Sequence, residues 1–188
     1  MWTYNGKRIR EGRAWTDDNG VQHPTNWYIW SKDEKVAHGL IWVDAQSKPD
    51  ERFYWFSQNT DGTYTTTPKV LEDTNEVDEN GDPLLDANGV QIVTKGLKSV
   101  WIAQIKHTQG SFLSQTDWAY TRVADTGTAV PSDIQQYRNE VRLAASVIED
   151  QISQCANLDD FKALFVAPVD ANGDVTGNAP IYNWPEEI

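Results

Sequence analysis

The run SDIQQYRNEVRLAASVIEDQISQ, residues 132–154, decides how the chain is read. Within it Ile134, Tyr137, Val141, Ala144, Ile148 and Ile152 recur at steps of three and four. That spacing lays them along one stripe of a helix with 3.6 residues per turn. Ser132, with Gln135 three residues on, reads as a capping box at its start. A stripe of this kind needs a partner face. Upstream, Leu97, Val100, Trp101, Ile105, Phe112 and Leu113 keep a looser helical spacing up to about Thr116. Gly110 falls inside that run as a point where the helix kinks or ends. Residues 119–131 read as a connection closed by Pro131. Asn157 reads as the cap of a short third helix carrying Phe161, Leu164 and Phe165.

Before Gly96 the character differs. Trp2 and Tyr4 alternate with polar residues, Asn5-Gly6 reads as a hairpin turn, and Arg8 to Trp15 as the returning strand. Ser31 reads as the cap of a single helical turn between the stretches Thr25–Trp30 and Leu40–Val43. Arg52–Phe56 and Thr63–Thr67 are β-favouring. Residues 68–95 read as an acidic, extended hairpin arm that includes the alternating run Val90–Thr94. The fold class expected is α+β: a small Trp-rich antiparallel β module, then the helical hairpin and the short third helix. The expected division is a β-rich partner-binding region at 1–95, a helical domain at 96–166 and an extended tail at 167–188.

Composition narrows the function. The 188 residues include 16 basic and 28 acidic side chains, a net charge of −12. That charge disfavours binding to nucleic acid and docking on anionic membranes. The single Cys155 excludes an internal disulfide and any zinc site built from several cysteines; it reads as a buried small hydrophobe. His23, His38 and His107 form no ligand pair. No apolar run reaches membrane-spanning length, and the amino-terminal stretch lacks a signal-peptide core. No metal and no cofactor is expected.

The tetrad D-x-N-G occurs at Asp17, Asp78, Asp86 and Asp170. As a calcium loop it fails at position 6, which holds Pro83 or Val175 where glycine is needed. The tetrads read instead as turns. Asp44, Asp50, Glu51 and Asp61 are the carboxylates from which a glycosidase pair would have to come, and no spacing selects one. Six of the nine Trp fall within residues 1–56. Most suit the core of a small β module. Trp2, Tyr4, Trp27, Trp30 and Trp42 are the candidates for a partner-binding surface. Arg138 and Arg142 lie off the apolar stripe, within reach of Glu140, Glu149 or Asp117.

From Trp101 to Ile148 a further pattern appears. Lys106 is followed by Phe112-Leu113, Thr116-Asp117-Trp118, the linker with Pro131, and Tyr137-Arg138-Asn139-Glu140-Val141-Arg142. This resembles the phage tail assembly chaperone-like domain of tail fibre assembly proteins. Those carry a basic residue, a leucine pair, T-D-W, a proline-bearing linker and Y-R-x-x-L-R. Here Phe112-Leu113 stands for the leucine pair and Val141 for the leucine. The Trp usually found just before Y-R is absent, with Gln135 and Gln136 near its place. The opening MWTYNGKRIREG, with NGVQHP and HGLIWVD, is similar to proteins of marine and cyanobacterial phages that end in this domain.

The resemblance implies a non-enzymatic tail protein, a fibre assembly chaperone or fibre-attached accessory. Its partner would be the tail fibre or another tail or baseplate protein, and a homo-oligomer matching a trimeric fibre is one arrangement. It implies the host cytoplasm during assembly, and then the virion tail if the protein is retained. It also implies that Leu113, Asp117, Trp118, Tyr137, Arg138 and Arg142 are a structural signature, with Trp118 closing the hairpin against the Tyr137 face and Asp117 capping or pairing with Arg138 or Arg142. The alternatives are a permanent structural component of the virion or a receptor- or carbohydrate-binding tail module.

Overall fold

Asn5 and Gly6 both take positive φ, 47° and 72°, the backbone of the tight turn that matches strand twist. In the computed structural model, which describes residues 1–44 and 46–188, they join β1 (Trp2–Tyr4) to β2 (Lys7–Arg8). The returning strand therefore ends at Arg8, and Trp15 belongs to the next hairpin, β3 (Trp15–Thr16) with β4 (Gln22–His23). A 3₁₀ turn at Trp27–Ile29 leads to α1 (Lys32–Ala37). Ser31 caps α1 through a full capping box with Glu34. β5 (Ile41–Trp42) pairs with the free side of β1, giving the order β2-β1-β5. A separate hairpin follows, β6 (Tyr54–Gln58) with β7 (Tyr64–Pro68). Trp15, Trp27 and Leu40 form the buried centre, flanked by Trp2, Tyr4, Ile9 and Trp30.

Two compact units divide the chain, Met1–Pro68 and Lys69–Ile188. Residues 69–95, read above with the first region, thus fall in the second unit. The backbone shows why. The carbonyls of Val70 and Leu71 accept from the amides of Leu97 and Lys98, two donors that a helix start leaves unpaired. Asp73 accepts from the Gly96 amide at 2.9 Å and the Lys95 ammonium at 2.7 Å. A Cβ on Gly96 would lie 2.3 Å from the carbonyl oxygens of both Leu71 and Glu72, so glycine alone lets residues 71–72 approach this closely.

Within 69–95, β8 (Thr74–Asn75) pairs with β9 (Val93–Thr94). The segment is not one extended hairpin. Glu76 donates to the Ile92 carbonyl, Leu84 to Glu76 and Ile92 to Leu84, a ring of three backbone bonds at eight-residue intervals. The Gln91 carboxamide sits among the same three carbonyls. The D-x-N-G tetrads create this register. At each, the Asp carboxylate accepts from the amides two and four residues on, and the Gly takes positive φ. The residue before the Asp then faces the residue five after it: Thr16 with Gln22, Val77 with Pro83, Leu85 with Gln91, and Val169 with Val175. The tetrads are three-residue turns with a glycine bulge. Asn59-Thr60-Asp61-Gly62 follows the same backbone path between β6 and β7.

The helices are α2 (Leu97–Ser114), α3 (Asp117–Thr126), α4 (Ser132–Gln154) and α5 (Leu158–Ala163). α2 and α4 run antiparallel: Lys98 reaches the Ser153 carbonyl, Lys106 reaches Glu149, and Arg138 reaches Leu113. The buried stripe of α4 is Ile134, Tyr137, Val141, Ala145, Ile148 and Ile152; Ala145, rather than Ala144, is fully enclosed. Three expectations change here. Of the connection expected over residues 119–131, residues 119–126 are helical, as part of α3, which ends on Gly127 at φ 68°. Gly110 lies within an unbroken α2. The Ser132 capping box does not form; Pro131 occupies the cap position, and the Gln135 carboxamide donates to the Val130 carbonyl. Asn157 does cap α5, accepting from the amides of Asp159 and Asp160. The chain beyond residue 166 returns to the helices through buried Ala179 and Ile181. The architecture is α+β, and no helix among the described residues is long and apolar enough to cross a membrane.

Candidate functional site

α2 ends at Ser114, so its last carbonyls lack partners from its own helix. The Leu113 carbonyl accepts from the Thr116 amide at 3.1 Å, the Thr116 hydroxyl at 3.0 Å and Arg138 Nη1 at 2.6 Å, beside the amide of the cap residue Gln115. The same Nη1 shares its hydrogens with Thr116 Oγ1 at 2.8 Å and Asp117 Oδ1 at 2.7 Å. Asp117 opens α3, where a carboxylate also suits the helix dipole. The Arg138 guanidinium carbon lies 4.7 Å from the centre of the Tyr120 ring. One buried arginine on α4 thereby ties the end of α2 to the start of α3. Asp117 is 62% exposed, so its ionic attraction is screened. The bonds to Leu113 and Thr116 carry more of the node, because Thr116 and Arg138 are buried.

Of the residues singled out from the sequence, Leu113, Asp117 and Arg138 meet at this node. Tyr137 lies beside it on the buried stripe, and its phenol, which has no hydrogen-bond partner among the described residues, is pushed up by burial and then by Glu187. Arg142 stays outside, donating at 3.3 Å to the Arg138 carbonyl of its own helix. Trp118 does not close the hairpin. It is 53% exposed, with the Arg122 guanidinium 5.1 Å from its ring centre. Once residues 117–126 coil as a helix, each step turns about 100°. Ala119, completely buried, then faces inward in place of Trp118. Thr116, quoted above within the Thr116-Asp117-Trp118 tripeptide, and Tyr120, whose only signal was its nearness to Asp117, also belong to the node.

In the first unit the five aromatic candidates separate. Trp27 is 0% exposed, and its indole N–H donates to the Arg13 carbonyl at 3.0 Å. It fills the core and is no binding surface. Trp2, Tyr4 and Trp30 are half-buried against that core. Trp42 is 54% exposed, with Trp2 edge-on at 5.3 Å and its indole N–H on Asp44 Oδ1 at 2.9 Å. Trp55, not among the candidates, is 65% exposed. Alternation along RFYWF announces this, since Tyr54 and Phe56 face one way and Trp55 the other.

His23 is buried, stacked on Trp15 at 4.0 Å, with its Nε2 3.3 Å from Asp17 Oδ2. The Asp17 carboxyl is held below the usual range, first by the Val21 amide and further by His23. Asp78, Asp86 and Asp170 are lowered in the same way by their turn amides. Each glycosidase candidate has a local partner: Asp44 with Trp42, Asp50 with Arg52, Glu51 with Lys48, and Asp61 with Thr63. Among the described residues no three His, Cys, Asp or Glu side chains are grouped to hold a metal ion. Cys155 is buried, and burial pushes its thiol up, away from the reactive thiolate. No family model, no curated protein and no solved structure matches the chain.

Proposed function

We propose that the chain is a non-enzymatic phage tail protein, a tail fibre assembly chaperone or an accessory attached to the fibre. The observation that carries this reading is the Arg138 node. Leu113, Asp117 and Arg138, on which the resemblance rests, lie up to 25 residues apart and serve one task, locking the α2–α3 junction to α4. Such a lock gives a motif of this kind a structural purpose. Binding then falls to other surfaces, with exposed Trp42 and Trp55 in the first unit the ones suited to cover apolar surface on a fibre. The net charge of −12 favours solubility and discourages contact with DNA.

The test is quantitative mass spectrometry on purified virions, with copy number scaled to the fibre protein, beside affinity capture from infected cells. A fixed integer ratio assigns a structural tail component. Absence from virions together with capture alongside newly made fibre assigns a transient chaperone. Absence from both refutes the tail reading.

A further inference from the structure

α4 carries a second apolar row outside its buried stripe. Leu143 and Val147, four residues apart, are 65% and 46% exposed. They line a groove of about 690 Å³ whose far wall is the carboxy-terminal segment, including Val166, Pro180 and Trp184. The wall is fixed in place: Ile181 donates to the Leu164 carbonyl at 3.0 Å, and Trp184 packs on Phe112 at 5.2 Å. Along α4 the groove runs from Glu140 to Gln151, about 16 Å at the helical rise per residue. That is the length of three helical turns.

The lining chooses among occupants. α4 spends its backbone groups internally, and the facing wall is rich in proline, which lacks an N–H. The groove therefore offers no ladder to an added strand, and side chains must do the recognition. Among the described residues Glu140 is the sole charged side chain in the lining, and no Lys or Arg joins it. Glu186 and Glu187 directly follow the lining residue Pro185. We infer that the groove seats an amphipathic helix of a partner protein, with apolar side chains at i, i+3 or i+4, and i+7, and a Lys or Arg beside Glu140. This inference rests on reading the chain as a non-enzymatic binding protein.

An mRNA-displayed library of 16-residue peptides, selected on the full chain, is the test. Leu143, Val147 and Glu140 are exposed, so Leu143→Glu, Val147→Glu and Glu140→Lys are expected to melt as the parent does. The expected result is enrichment of peptides with helical apolar spacing and an excess of Lys and Arg, binding at least tenfold more weakly to Leu143→Glu and Val147→Glu. On Glu140→Lys the enriched charge should turn acidic. No enrichment, an alternating extended pattern, or binding indifferent to residue 143 overturns the inference. So does a groove that takes up anilinonaphthalene sulfonate, loses it in the same variants and selects no peptide, since that assigns a small apolar ligand. A failed selection beside intact capture of the fibre rejects the groove alone. A successful selection without any fibre or virion association rejects the tail reading alone.

Discussion

Replacing Gly96 and Gly110 by alanine should move stability in opposite directions, one glycine standing at the cap of α2 and the other inside it. At Gly96 the new methyl would lie 2.3 Å from two backbone carbonyl oxygens. Relief requires the segment Val70–Asp73 to withdraw by about 1 Å, to reach ordinary packing distance. Withdrawal strains three bonds, from Leu97 to Val70, from Lys98 to Leu71 and from Gly96 to Asp73. Overpacking costs about 1–3 kcal/mol, and weakening those bonds adds about 0.5–1.5 kcal/mol for each one lost. The stiffer unfolded chain returns about 0.4–1 kcal/mol. The net expectation is a loss of about 2–4 kcal/mol for Gly96→Ala. At Gly110 nothing lies within 4 Å of the added methyl and the position is helical. There the change should gain about 0.5–1 kcal/mol. Urea unfolding followed at 222 nm measures both, because α2, α3 and α4 all lie in the second unit, whose transition the signal therefore reports. At about 3–4 °C per kcal/mol for a unit of this size, the Gly96 variant should melt about 6–16 °C lower. A Gly96→Ala protein as stable as the parent would refute the close approach of residues 70–73 to α2.

Arg138→Met should cost about 1–3 kcal/mol, read by the same unfolding curves. Asp117→Asn should cost less than about 1 kcal/mol because Asp117 is largely exposed; equal losses would mean that the ion pair, not the buried bonds, holds the node. Trp27→Ala should cost about 3–5 kcal/mol, a loss that near-ultraviolet circular dichroism and urea unfolding would both register. Trp42→Ala should stay within about 1 kcal/mol and show its effect only in partner capture. Asp73 is held at about 2, by Lys95 foremost, against an ordinary value of 3.8. Asp17, Asp61, Asp78, Asp86 and Asp170 are also lowered. Between about pH 4 and 2 the unfolded chain thus binds more protons than the folded one, so stability should rise with pH across that window and be fully present above it. Urea midpoints at pH 2.5, 4 and 6 check this, and Asp73→Asn should flatten the rise.

The long helix α4 and its buried face were legible because periodicity, length and burial all speak of one element there. α5 was legible through Asn157, whose cap bonds are local. α3 was not, since its inner face offers only the small Ala119 and Val123 four residues on, and the helix is fixed by Asp117 and Thr116 at its start and Gly127 at its end. The D-x-N-G turns were legible one at a time, but the eight-residue register that closes Glu76, Leu84 and Ile92 into a ring depends on two turns acting together. The Arg138 node lay beyond spacing arguments altogether. Its atoms come from positions 21 to 25 residues apart, and a guanidinium that satisfies a helix end leaves no period to read. Leu113, Asp117 and Arg138 Nη1 bond to one another and to Thr116, a set of contacts that fixes the α2–α3 junction on α4. The proposed binding function would then draw on side chains that the fold leaves exposed, among them Trp42 and Trp55 in the first unit and Leu143 and Val147 in the second. Variants at these four positions, unlike variants at the node, should change binding while leaving folding intact.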